Sequence, residues 1–184
     1  MSRRPLAIQP APGFRNKLGR VLWGTVYCLF YRPSPRPFHG WRRFLLRCFG
    51  ARIGEGAMPY RGVIVWAPWN LVMGARSVMG DGVDCYSVAS IELGEGAVVS
   101  QRAYLCSASH DYNDPAFPLV TAPIRIGAHA WVAAEAFVGP GVTVEEGAVV
   151  GARAVANRDV GAWTVVGGNP AIPLRQRHWK EGAR

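Results

Sequence analysis

The chain has 184 residues, 49% of them hydrophobic and 18% charged, with 7 Trp, 7 Phe and 6 Tyr, which excludes disordered and collagen-like classes and fits one folded domain. Its net charge of +9 is unevenly placed: eleven basic residues and no acid precede residue 53, and the first carboxylate is Glu55. Residues 53–174 carry six basic and eleven acidic residues and the remainder is again basic, so a nucleic-acid groove built on the main body is excluded.

In chain order, residues 1–50 read as a basic amphipathic helical segment. Two helices are expected near 15–31 and 38–49, separated by Pro33, Pro35 and Pro37. In the second, Phe38, Trp41, Phe44, Leu45, Cys48 and Phe49 share one face and Arg42, Arg43 and Arg47 the other. The apolar run Val21–Tyr31 has eleven residues, short of the roughly 20 that span a bilayer. An Arg-Pro-Ser-Pro-Arg-Pro stretch stands where a signal peptide would carry its cleavage site, so a cytoplasmic protein is expected. Cys28, Cys48, Cys85 and Cys106 lie far apart among apolar residues, which reads as buried thiols rather than disulfides or a metal site.

Residues 51–165 form the repeating body. From Ile126 an aliphatic or small residue returns every six positions: Ile126, Val132, Val138, Val144, Val150, Ala156. A second small or branched residue follows four places later, from Ala130 and Ala136 to Ala154 and Val160. Neither the helical nor the strand period explains a step of six. A triangular coil does, with each hexapeptide giving one short strand and one turn, and the aliphatic side chain pointing into the prism. Upstream, Met73, Met79, Cys85 and Ile91 keep the step, and Leu93, Val99 and Leu105 resume it after a slip of two. Ile53 with Ala57 is expected to open the first coil, and Val63-Ile64-Val65-Trp66 to be an irregular rung. The 22 glycines are assigned to turns needing φ > 0 and to close approach of stacked backbones. The phase breaks over 106–123, a loop with no period of its own that carries His110 and reads as functional. Residues 166–184 form a C-terminal tail.

The repeat, the Ser109-His110-Asp111 loop, the stretch Pro123-Ile124-Arg125-Ile126-Gly127-Ala128-His129-Ala130-Trp131-Val132, Pro140-Gly141-Val142-Thr143 and Gly167-Gly168-Asn169-Pro170-Ala171 together resemble the hexapeptide-repeat acyltransferases. The branch is that of the galactoside, maltose and nodulation O-acetyltransferases. Arg32-Pro33-Ser34-Pro35-Arg36-Pro37-Phe38-His39 and Phe49-Gly50-Ala51 bring the chain nearest the colanic acid biosynthesis acetyltransferases. The resemblance implies an all-β, left-handed parallel β-helix with short N-terminal helices and a protruding loop. It also implies an acetyl-CoA-dependent O-acetyltransferase acting directly on a sugar hydroxyl, in exopolysaccharide or other glycan biosynthesis.

By the same resemblance His110 is the general base, a task that suits imidazole because its ordinary pKa of about 6.5 lies near working pH. Trp131 lies on the face that receives the pantetheine arm. Ala134 and Ala152 offer backbone groups to the cofactor, and Asn157 and Arg158 occupy the place that meets its phosphates. Relatives of the galactoside branch hold the acceptor with an Asn one rung before the loop. Here that stretch reads Asp84-Cys85-Tyr86-Ser87 and has none, which leaves Ser87 and Asp111 as substrate-binding candidates. Adjacent residues of an extended segment point apart, so Ser109-His110-Asp111 is not a triad by itself, and Asp111 also suits a turn with Asn113, Asp114 and Pro115. His129 sits in an outward turn, His39 and His178 in the flanks, and no metal is expected.

The family implies a homotrimer in which His110 of one chain faces Trp131 of the next. The N-terminal helices either cap the prism or place residues 1–49 on an anionic membrane, where a lipid-linked glycan acceptor would be met. The rival functions are a serine or amino-sugar N-acetyltransferase and a non-catalytic β-helix scaffold.

Overall fold

The computed structural model describes residues 6–10 and 13–179. The basic residues Arg3, Arg4, Lys180 and Arg184 lie outside them. The body is a parallel β-solenoid of triangular section. One face stacks the strands Arg52–Ile53, Leu71–Met73, Ile91–Leu93, Ile124–Ile126 and Thr143–Val144. The second runs from Met58–Pro59 through Val78–Met79, Val98–Val99, Trp131–Val132 and Val149–Val150 to Thr164–Gly167. The third stacks Ile64–Val65, Asp84–Tyr86, Tyr104–Cys106, Phe137–Val138 and Val155–Ala156.

Both columns of the sixfold repeat point inward. Ile126, Val132, Val138, Val144, Val150 and Ala156 are buried, and so are Ala130, Ala136, Val142, Ala148, Ala154 and Val160. A branched side chain on each face fills the prism, and small residues fill its corners. Each fully buried Val or Ile contributes about 1.5–3 kcal/mol, which is how strands of two or three residues hold their register.

The slip of two is an insertion at one corner. Ile91 and Leu93 are inward residues of a single strand, as are Leu71 with Met73 and Ile124 with Ile126. Stacked partners Ile53, Met73 and Leu93 are 20 residues apart, whereas Ile126 and Val144 are 18 apart. The extra residues always fall where the chain leaves the third face for the first. The stretch expected to be irregular holds an ordinary strand, Ile64–Val65, and the widening follows it as the 3-10 turn Pro68–Asn70. The step from Leu93 to Ile126, 33 residues, contains the long loop at the same corner.

Glycine serves mainly close approach. A Cβ on Gly54, Gly74, Gly94 or Gly127 would meet the backbone of the next coil at 2.5–2.6 Å. Left-handed turn positions, by contrast, also take Arg76, Arg102, His129, Glu135, Arg153 and Trp163. The contrast is testable at one column. Gly94→Ala should destabilise by about 2 kcal/mol in urea unfolding, because the coils must part. Gly24→Ala, on a helix with nothing within 4 Å of the new methyl, should stabilise by up to about 1 kcal/mol. Equal effects at the two sites would refute the packing argument.

The N-terminal segment folds as α1 (Phe14–Val26), a π-helical turn Tyr27–Tyr31 and α2 (His39–Cys48), and it closes the open end of the first coil. In a solenoid each coil's carbonyls accept from the coil before, as Met73 O, Ser77 O, Met79 O and Cys85 O do. Their first-coil counterparts Ile53, Ala57, Pro59 and Val65 have no preceding coil. Side chains take its place: Arg47 donates to Ile53 O at 2.6 Å, Arg43 to Ala57 O at 2.8 Å, Arg42 to Pro59 O at 2.8 Å and Trp23 Nε1 to Val65 O at 2.8 Å.

The two faces of α2 are therefore not divided as apolar inside and basic outside. Arg42, Leu45 and Leu46 are buried and Arg42 is fully enclosed, while Phe38, Trp41 and Phe44 face outward. Two of the cysteines also depart from expectation: Cys85 and Cys106 are buried, but Cys28 and Cys48 are exposed, and all four are free. Burial pushes the Cys85 thiol up to about 12, leaving it unreactive.

At the far end Ile172–Gln176 folds back antiparallel onto Thr164–Gly167. The expected boundary between body and tail at 165/166 therefore falls inside a strand. No helix among the described residues is long and apolar enough to cross a membrane.

Candidate active site

The long loop is built as a hairpin. Ala108–His110 pairs antiparallel with Leu119–Thr121, and Ala7–Ile8 from the N-terminus adds a third strand beside Val120 and Thr121. This contribution of the N-terminus was not legible in Leu6-Ala7-Ile8, which shows a short apolar stretch and nothing about its partner. Gln9 extends the contact, its backbone N–H donating to Leu119 O at 2.8 Å and its side chain accepting from the Thr121 hydroxyl at 3.1 Å.

His110 ends the first hairpin strand, and its ring stacks face to face on Phe117, with centroids 4.3 Å apart and planes 7° from parallel. Its Nδ1 lies 2.8 Å from Phe117 O. A carbonyl only accepts, so Nδ1 carries the proton and Nε2 is left with the lone pair. Phe117 achieves both contacts in the left-handed region, at φ +47, an uncommon conformation for a residue with a side chain. Asp111 accepts from Asn113 N at 3.0 Å and Asp114 from Ala116 N at 2.8 Å, closing the turns that bring Phe117 back. Asp111 thus has the turn role its neighbours suggested.

Beside His110 opens a groove of about 710 Å³, lined among others by Leu6, Ile8, Asp111, Phe137, Pro140 and Asn157. Phe137 is one end of a row of outward aromatic rings on the third face. It continues through Tyr104 at 5.5 Å, Tyr86 at 6.5 Å and Trp66 at 5.1 Å, and Arg20 lies over the Trp66 ring. Asp84 stacks in register between Ile64 and Tyr104, and burial raises its carboxyl above the usual carboxylate range.

The cofactor candidates are divided. Asn157 shares the groove of His110, and Arg158 beside it is exposed. Trp131 stands on the second face, its Nε1 donating to Ser100 Oγ at 2.8 Å, and lines a separate groove of about 280 Å³ with His129, Arg177 and Trp179. Ala134 and Ala152 occupy the corner between those two faces, where Arg153 N donates to Ala134 O at 3.0 Å.

Arg177 and Trp179 were missed by sequence reasoning, since they lie past the last repeat. The returning strand carries them there: Arg177 donates to His129 O and Gly147 O, both at 2.9 Å, and Trp179 packs edge-on against His129 and Trp163. Ser87 is ruled out as an acceptor ligand. It is fully buried, and its hydroxyl both accepts from Ala67 N and donates to Ala67 O. Among the described residues no cluster of three or more His, Cys, Asp or Glu side chains could hold a metal ion.

This geometry can be compared with that of known proteins. The colanic acid biosynthesis acetyltransferase WcaF of Escherichia coli (strain K12) is 40% identical over 167 residues, covering 90% of this chain and 92% of that protein. The chain belongs to this acetyltransferase family. No protein-family model matches it. Among solved structures, a hexapeptide-repeat acetyltransferase of Vibrio cholerae in complex with acetyl-CoA superposes at a TM-score of 0.82, with 22% identity and 92% of each chain covered. A maltose O-acetyltransferase of Clostridium difficile 630 gives 0.77, with 18% identity over 91% of this chain and 90% of that one. These two likenesses confirm the hexapeptide-repeat solenoid in the WcaF-family chain, and the 40% relative makes it an acetyltransferase.

Proposed function

We propose that the chain is an acetyl-CoA-dependent O-acetyltransferase that acetylates a sugar hydroxyl of an exopolysaccharide or other glycan, with His110 as general base. The observation that supports this reading is the 2.8 Å contact of His110 Nδ1 with Phe117 O, which favours the Nδ1–H tautomer and leaves Nε2 to accept a proton, on a residue that lines the groove. Acetyl-CoA supplies a thioester carbonyl and a thiol leaving group. His110 Nε2 accepts the proton of the acceptor hydroxyl as its oxygen attacks that carbonyl, and returns it to the sulfur as the carbon–sulfur bond breaks. The transfer is direct, and no covalent bond to the protein forms.

Trp131 holds the pantetheine arm, Ala134 and Ala152 offer backbone groups, and Asn157 with Arg158 meets the phosphates. The active protein is a homotrimer in which the His110 groove of one subunit faces Trp131 of the next. The separation of the two residues into different grooves on different faces supports this arrangement. On the acceptor side, Phe137 and the aromatic row beyond it offer apolar rings on which sugar C–H groups can pack.

The test is CoA-thiol release from acetyl-CoA against nucleotide sugars, lipid-linked oligosaccharides, serine and amino sugars. Turnover is expected with hydroxyl acceptors of the first two classes. Faster turnover with serine or the amino sugars would replace this reading with that of a serine or amino-sugar acetyltransferase, and no turnover with any acceptor would favour a scaffold.

A further inference from the structure

The cap leaves Phe38, Trp41 and Phe44 of α2 outside, on an apolar surface for which capping gives no use. Leu29, Phe30, Pro33, Pro35, Phe38 and Trp41 line an open groove of about 370 Å³, and Phe44 extends it by stacking on Trp41 with centroids 5.6 Å apart. Phe30, Phe38 and Phe44 are each more than half exposed. On α1, Phe14, Leu18 and Leu22 recur at helical spacing and are also exposed, while Trp23 is buried and donates to Val65 O in the first coil. Trp41 presents its ring outward with its indole N–H already satisfied by Phe30 O at 3.0 Å. The part of this surface on the Tyr27–Tyr31 turn and α2 lies at the first-coil end of the solenoid, whereas α1 also borders the hairpin, where Asn16 and Arg20 line a cleft with Leu119.

Charge identifies the occupant. Arg15, Lys17, Arg32 and Arg36 are exposed in the same segment, and no carboxylate precedes Glu55. None of the ion pairs among the described residues involves a residue before Arg76. Two copies of this surface placed together would bring cations against cations without a counter-charge. An anionic lipid leaflet supplies both an apolar phase for the aromatic rings and phosphates for the rim.

We propose that the outward face of α1, the Tyr27–Tyr31 turn and α2 is a membrane-docking surface for an anionic phospholipid leaflet, with the aromatic side chains inserted at the headgroup boundary and Arg15, Lys17, Arg32 and Arg36 on the lipid phosphates. The capping arginines Arg42, Arg43 and Arg47 take no part, because the solenoid's carbonyls hold them. The helices lie in the interface rather than crossing it, and the prism is carried against the membrane by its first coil. This inference stands on the N-terminal surface alone and does not depend on the identity of the acceptor.

Co-sedimentation of the full chain with vesicles of phosphatidylcholine alone, and of phosphatidylcholine mixed with phosphatidylglycerol, tests it. Binding is expected to the mixed vesicles, to weaken with salt, and to be much poorer on the neutral ones. Arg32→Glu with Arg36→Glu, and separately Phe30→Asp with Phe44→Asp, should each lower the partition by about tenfold or more while leaving the thermal midpoint and thiol release with a soluble acceptor unchanged. Arg43→Ala, which touches only the cap, should leave partition of the folded protein unaltered. Absence of binding to both vesicles overturns the proposal, as does equal binding to both. So does a loss of self-association or of a protein complex on Phe30→Asp with Phe44→Asp while vesicle binding persists.

Discussion

Replacing His110 by Ala is expected to lower kcat for acetyl transfer by about 10²–10⁴-fold, with little change in KM for acetyl-CoA. In the proposed mechanism the imidazole would act at the acceptor hydroxyl while other residues hold the thioester, which places the loss in kcat. His110→Asn separates the two uses of the ring. Its amide can still donate towards Phe117 O, as Nδ1–H does at 2.8 Å, but it offers no basic nitrogen. It should therefore be as inactive as the Ala variant while keeping the thermal midpoint of the parent. Added imidazole should restore part of the turnover of His110→Ala and none of that of a variant unfolded in the hairpin. Full activity in both variants would remove His110 from the chemistry.

Arg42→Ala should be the most damaging single change to the fold, costing at least about 3 kcal/mol in urea unfolding. The guanidinium is fully buried and donates to Pro59 O at 2.8 Å, Ser34 Oγ at 2.9 Å, Pro35 O at 2.9 Å and Arg36 O at 2.7 Å. Its removal leaves three carbonyls and a hydroxyl in a cavity that water fills poorly, at the junction of the helices and the first coil. A lysine in its place would not substitute, since a single ammonium cannot reach partners spread around a planar fork. Arg42→Lys is accordingly expected to recover less than half of the loss. A cost under about 1 kcal/mol for Arg42→Ala would show that the cap is held by Trp23, Leu45 and Leu46 instead.

What the sequence disclosed follows from how many residues carry each signal. The solenoid was legible because Ile126 to Val160 repeat one inward pattern six times, and each repeat is buried for the same reason. The corner insertions were half legible: a change of step between Ile91 and Leu93 is visible, but not that both side chains point inward from one strand. Which side of α2 is buried was not legible, because amphipathicity places arginines in water by default. Here the unpaired carbonyls of Ile53, Ala57 and Pro59, a property of the first coil and not of the helix, reverse that default.

The candidate site was legible as to its loop and not as to its geometry. His110 was marked by its position in the one long aperiodic loop and by resemblance. Its stacking on Phe117 depends on a left-handed phenylalanine, which no composition rule suggests. Ser87 looked available in a linear reading, yet the widened corner turns its hydroxyl inward to Ala67. Arg177 and Trp179 reach Trp131 only because the tail doubles back.

The corner between the third and first faces has a wider meaning. Successive coils cross it with a plain turn, with two added residues, or with the whole hairpin that carries His110, yet Ile124 to Ile126 still lands in register on Ile91 to Leu93. Length at this corner is therefore decoupled from the stacking of the prism. Substrate recognition and scaffold can diverge separately: a lineage can lengthen, shorten or exchange the hairpin without repacking a core residue, and the solenoid serves as a chassis on which the chemistry is a replaceable part.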